Sequence, residues 1–185
     1  MTMLNLGGGF VVAAAVAVLC VAWAPAAQAR DVRFSEGHWR QELTLANGLH
    51  AGKRNRESDR FISLAFEYEA PYRKRATLDF RIYPGLVYFE NGESTLYVGG
   101  IGIGTRLYQK TELKGWYGEI LGGVLLMSGE WRGNGSNVNF LSEAGLGYQF
   151  DRWHVVLKVQ HISNAGISSD NDGVNAVGVG FGYNF

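Results

Sequence analysis

From about residue 40 to the end of the chain, apolar and polar residues alternate with a period of two, in runs of roughly ten residues separated by polar turns. Successive side chains of a strand point to opposite faces, so this period predicts strands with one apolar side. Eight runs are recognisable, at about 40–50, 60–69, 76–90, 94–108, 115–127, 137–150, 152–163 and 174–185. In the second, Ile62, Leu64, Phe66 and Tyr68 oppose Ser63, Ala65 and Glu67. In the third, Leu78, Phe80 and Ile82 oppose Thr77, Asp79 and Arg81. Tyr97, Ile101, Ile103 and Leu107 of the fourth oppose Gly100, Gly102, Gly104 and Arg106; in the fifth Glu119 shares its face with Tyr117, Leu121 and Gly123, and in the sixth Glu143 shares its face with Leu141, Gly145 and Gly147. After residue 30 no stretch approaches the length of an apolar helical span.

A soluble sandwich hides its apolar faces and wets its polar ones, whereas a transmembrane barrel does the reverse. Here the polar faces combine glycine with Glu67, Asp79, Arg81, Arg106, Glu119, Glu143 and Lys158. That mixture suits a narrow interior in which a long charged side chain faces a strand without side chains. Trp116, Tyr148, Phe150 and Trp153 lie near run ends, where interfacial aromatic girdles are expected. The last run ends Val177-Gly178-Val179-Gly180-Phe181-Gly182-Tyr183-Asn184-Phe185. A terminal Phe with an aromatic two residues before it resembles the closing strand of bacterial outer-membrane barrels. The expected fold is therefore all-β, an eight-stranded antiparallel transmembrane β-barrel with a side-chain-filled interior rather than a pore.

Composition adds compartment. Residues 10–24 are apolar throughout and precede Ala27-Gln28-Ala29, a small-x-small cleavage site. Residues 1–29 are expected to be a cleaved signal peptide and 30–185 a single barrel domain. Cys20, the one cysteine, lies in the segment to be removed, and Leu19 before it is too bulky for a lipoprotein site, so no disulfide or thiolate chemistry is expected. Lys and Arg number 17, as do Asp and Glu, and this zero balance gives no argument for a nucleic-acid partner. With the carboxyl terminus periplasmic, the connections after the first, third, fifth and seventh runs face outward. Lys53, Arg54, Arg56 and Arg60 crowd the first of these, either as contacts to lipid phosphates or as ordinary solvated charge.

The chemistry concentrates at the end of the seventh run. Trp153, Val155, Leu157 and Val159 form an apolar row whose next members are His161 and Ser163. Two such positions lie about 6.5–7 Å apart along a strand, within reach of bent side chains. An imidazole beside a hydroxyl on a lipid-facing wall is the minimal equipment for ester hydrolysis, needing only donors for the oxyanion. Asn164, Ala165 and Gly166, where the chain leaves the strand, are the candidate donors, through the Asn164 amide and free backbone N–H groups.

His161-Ile162-Ser163-Asn164-Ala165-Gly166 in the penultimate strand of a small barrel, followed by a polar loop, resembles the PagL-type lipid A 3-O-deacylases. The resemblance implies an integral outer-membrane serine hydrolase without metal or other cofactor. Its substrate would be lipid A of lipopolysaccharide, cleaved at the 3-position ester by a site on the outer wall facing the outer leaflet. One position departs from the family pattern, which has Glu twelve residues after the serine where this chain has Asn175. Parity places Asn175 on the outward row of the eighth run, where its amide oxygen is suited to orient His161. Asp170 and Asp172 are alternatives for that place, though Ser-Ser-Asp-Asn-Asp-Gly also reads as plain turn chemistry. Two other readings of the whole chain stay open: an outer-membrane esterase acting on phospholipid, and a non-catalytic barrel serving adhesion or envelope stability. The oligomeric state is left open, a homodimer included.

His38, His50 and His154 lack metal-ligand spacing, and no metal site is expected. Glu119 and Glu143 are read as interior partners of Arg81, Arg106 or Lys158 rather than as general acids.

Overall fold

A computed structural model describes residues 32–50, 55–91 and 94–185. The expected signal peptide, together with Lys53 and Arg54, lies outside the described residues. After a short 3-10 turn at Phe34–Glu36, the chain forms β1 (His38–Gly48), β2 (Arg60–Arg73), β3 (Ala76–Phe89), β4 (Thr95–Tyr108), β5 (Gly115–Met127), β6 (Val138–Gln149), β7 (Trp153–Ser163) and β8 (Val174–Asn184). Each strand pairs antiparallel with its neighbour in sequence, and β8 returns to β1 from Arg40↔Asn184 to Gly48↔Ala176. Closure leaves no free sheet edge, and every ladder hydrogen bond finds a partner within the wall.

The two faces are inverted relative to a water-soluble protein. Outward positions carry Leu43, Leu45, Ile101, Ile103, Leu126, Leu146, Leu157, Val179 and Phe181, all exposed. Inward positions carry Arg40, Glu42, Glu67, Glu69, Asp79, Arg81, Arg106, Glu119, Glu143, His154 and Lys158, all buried. Such charges persist in a dry interior only when paired, and here they are. Arg40 meets Glu69 at 2.6 Å, and Arg81 meets Glu143 at 2.6 Å and Glu67 at 2.9 Å. Arg106 meets Glu119 at 2.7 Å. Lys158 reaches Glu42, Glu143 and Glu119 at 2.6, 2.8 and 3.1 Å. Glu119 and Glu143 thus have the structural partners that strand parity assigned them. The facing glycines make room: a methyl group at Gly180 would sit 2.9 Å from the Glu42 carboxyl carbon.

Strand boundaries follow the alternation closely, with two departures. β1 starts and ends two residues early, and β2 runs on to Arg73. The third run, moreover, does not alternate to its end. Pro84 and Gly85 are both exposed, and the register against β2 and β4 shifts there. Proline cannot donate to a ladder and marks such bulges. Beyond it the parity reverses, so that Leu86 and Tyr88 are buried while Phe89 is outside.

The two barrel ends differ. At one, Arg73 and Ala76 are separated by only two residues, and β6 and β7 by three. An aromatic girdle marks this end: Trp116 packs on Tyr148, Tyr148 on Phe150, Trp153 on Tyr183, and Trp39 on Tyr68, with centroids 4.6 to 5.4 Å apart. The other end carries the connections after β1, β3, β5 and β7. There Trp131, on the β5–β6 loop, is 2% exposed and packs edge-on to Tyr88 at 5.7 Å, corking the barrel mouth.

Candidate functional site

His161 and Ser163 occupy the last outward positions of β7, and Asn175 is the second residue of β8, directly opposite His161 in the ladder. Alternation and register bring the three together without help from a loop. The His161 imidazole bridges its two neighbours. Nδ1 lies 2.9 Å from Asn175 Oδ1, and Nε2 lies 3.1 Å from Ser163 Oγ. An amide oxygen only accepts, so Nδ1 carries the proton and donates it to Asn175. Nε2 is then the bare nitrogen, and Ser163 Oγ–H donates to it. This is the tautomer in which an imidazole can remove a proton from the hydroxyl.

Asp170 and Asp172 are not in the third position. Both ring nitrogens of His161 are engaged, by Asn175 and Ser163. The Asp170 carbonyl accepts from Asn164 Nδ2 at 2.8 Å, and Asp172 ties two loops together through its backbone. Its N–H donates to the Gly133 carbonyl at 2.8 Å, and its carbonyl accepts from Trp131 Nε1 at 2.9 Å.

Asn164, expected to offer its amide, is fully buried and spends that amide on the loops, donating to the carbonyls of Asn134 and Asp170. Its Oδ1 accepts the Gly166 N–H at 2.9 Å, and its own N–H donates to Asn171 Oδ1 at 3.0 Å. Of the three expected oxyanion donors, the Ala165 N–H is the one with no partner in the loop. The turn that presents it is tight: Ala165 and Gly166 both have positive φ, of 53° and 88°. Asn164 is therefore a strut that holds the turn after the serine.

Strand parity gives no sign of Gly173. A methyl group there would lie 2.8 Å from His161 Cε1, 3.1 Å from the Ile162 carbonyl oxygen and 3.2 Å from Ser163 Cβ. The β7–β8 loop thus returns flush against the edge of the imidazole, and no side chain fits between. The signal available in the sequence is a glycine immediately before β8, one of 26 in the chain and not distinctive among them.

The other candidate residues lie elsewhere. His154 faces the interior, 3.0 Å from Glu42, and His38 lies 3.5 Å from Glu69. Among the described residues no group of three or more His, Cys, Asp or Glu side chains is placed to hold a metal ion. Arg56, read as loop charge, is buried: it pairs with Glu90 at 2.6 Å and donates to the Arg132 carbonyl at 2.6 Å. Burial alone would lower its pKa; Tyr88, Glu90 and Asp59 around it raise it instead, so it stays a cation beneath the loops. Arg60 is exposed on the outward face.

Comparison with known proteins bears on the fold and the family. No curated protein matches the chain. Among solved structures, the crystal structure of the outer membrane enzyme PagL superposes with a TM-score of 0.59 at 16% sequence identity, covering 78% of this chain and 98% of that one, a likeness of fold. A family model described as lipid A 3-O-deacylase (PagL) matches residues 34–184, which include all eight strands. The chain belongs to the PagL family of lipid A 3-O-deacylases.

Proposed function

We propose that this protein is an integral outer-membrane esterase that removes the acyl chain at position 3 of lipid A by a serine mechanism. The observation that carries the reading is the His161 imidazole held between Ser163 and Asn175 on the outward, apolar wall. Ser163 Oγ attacks the ester carbonyl while its proton passes to His161 Nε2. The Ala165 N–H is the donor left for the resulting oxyanion. Collapse of the tetrahedral intermediate breaks the bond to the sugar oxygen, which takes the proton from His161 and leaves as the 3-hydroxyl. The acyl-serine is then hydrolysed by a water that His161 deprotonates, and the proton returns to Ser163 as the fatty acid departs.

Asn175 holds the imidazole in its working tautomer but carries no charge to stabilise the imidazolium. The site stands at the barrel end that bears the longer connections. In outer-membrane barrels that end is extracellular, which supports a site at the level of the outer leaflet. The test is mass spectrometry of lipid A from cells expressing the protein or its Ser163→Ala variant. Loss of one 3-O-linked hydroxyacyl chain in the first and not the second is expected. Unchanged lipid A alongside altered phospholipid would transfer the chemistry to another ester, and no change in either would leave a non-catalytic barrel.

A further inference from the structure

The outward wall is almost free of charge. Among the described strand residues, only two Lys, Arg, Asp or Glu side chains are exposed, Arg60 and Arg73, at opposite ends of β2. Arg60 stands at the end that holds His161 and Ser163. It faces Asn47 on β1 and Phe89 on β3, and it has no carboxylate partner among the described residues. An exposed arginine on an apolar wall without a counter-charge is an attractor for an anion delivered in the plane of the lipid headgroups.

Its place relative to the catalytic groups follows from register. Arg60 pairs with Asn47, Asn47 with Val177 on β8, and Val177 with Val159 on β7, the outward neighbour of His161. Three strand spacings separate Arg60 from the catalytic strand, about 14 Å along the wall. A groove of about 1240 Å³ runs from Leu157 on β7 past Arg60 to Phe89 on β3, with Leu45, Ile62 and Val179 among its apolar residues and Asn47, Arg60 and Glu90, the last held by Arg56, among its polar ones. An apolar wall, a polar strip and, among the described residues, one exposed cation match a lipid whose headgroup is both hydroxylated and anionic.

We propose that Arg60 is the subsite that grips a phosphate of the substrate headgroup while the 3-position ester lies at Ser163; Asn47 beside it ties the loop down, its Nδ2 donating to the Glu57 carbonyl at 2.7 Å. This rests on the deacylase reading and adds to it the feature that selects phosphorylated substrate. Arg56 is excluded from the role by its burial under Glu90 and Arg132, so the two described members of the basic cluster divide into a structural one and a binding one.

The test compares bis-phosphorylated lipid A with the same lipid A after phosphate removal, in mixed micelles. The wild-type protein is expected to favour the phosphorylated form about tenfold in kcat/KM, through KM. Arg60→Ala should bring that ratio near one, and Arg60→Lys should keep part of it, since an ammonium retains the charge but not the fork. Arg73→Ala removes the same charge at the far end of the strand and should keep the wild-type ratio. Heat-modifiable migration reports folding of each variant, and Arg60→Gln repeats the test should the alanine variant fail to fold. A wild-type ratio near one, or an undiminished ratio in folded Arg60→Ala or Arg60→Gln, would overturn the subsite and leave the deacylase standing. Failure of the wild-type protein to cleave either lipid A would remove both.

Discussion

Replacement of Gly173 by alanine is a direct probe of how the imidazole is held. The added methyl group would be centred 2.8 Å from His161 Cε1, where ordinary contact begins near 3.4 Å. Something must move by roughly 0.6–1 Å. The Ile162 carbonyl and Ser163 Cβ, at 3.1 and 3.2 Å, belong to a strand locked in the barrel wall and give little. The imidazole is the far end of a side chain and gives most. Displacing it stretches the 3.1 Å contact with Ser163 Oγ or the 2.9 Å contact with Asn175. Misplacement by about 1 Å near the reacting atoms costs on the order of 10²-fold in rate. The stability cost should be small, at most about 1–3 kcal/mol for local overpacking, because the group that yields is not part of the interior. Purified Gly173→Ala should therefore keep its heat-modifiable migration and melting temperature while kcat falls about a hundredfold. Gly85→Ala is the companion: a methyl group there meets nothing within 4 Å, and activity should be unchanged. Full activity in Gly173→Ala would refute the claim that the returning loop positions His161.

Ser163→Ala and His161→Ala should each lower turnover by at least about 10⁴-fold in a micellar lipid A assay, with folding intact, because both project from the wall. Asn175→Ala should cost less, about tenfold to a hundredfold. Asn175→Glu should move the acid limb of the pH–rate profile to higher pH, since a carboxylate favours the protonated imidazole; an unmoved limb would disconnect Asn175 from His161. Lys158→Met leaves Glu42, Glu119 and Glu143 facing one another without their shared cation. It should cost about 3–5 kcal/mol of stability, read as a lowered midpoint in urea unfolding.

Most of the architecture was legible because a barrel wall has only one degree of freedom per residue, inside or outside. His161 and Ser163 on the outer row follow from parity within β7, and Asn175 opposite His161 follows from counting across one loop. The parity rule fails where the backbone inserts a residue. Pro84-Gly85 is such a place, and from there to Phe89 the faces are exchanged. Parity is equally silent about loops. The burial of Arg56, the diversion of the Asn164 amide to Asn134 and the closeness of Gly173 to His161 all depend on how separate connections stack over the barrel mouth. Arg56 meets Arg132 across 76 positions, and Asn164 meets Asn134 across 30. No local pattern encodes contacts at such separations.

Because Ser163 and His161 stand on the wall rather than in the lumen, a lipid ester reaches them sideways, without leaving its leaflet. Encounter then happens in two dimensions. The quantity that governs the rate is the mole fraction of substrate at the surface, not its concentration in the bulk. Diluting the substrate lipid with inert amphiphile at constant bulk concentration would slow turnover, and both cleavage products would emerge into the same film that supplied the ester.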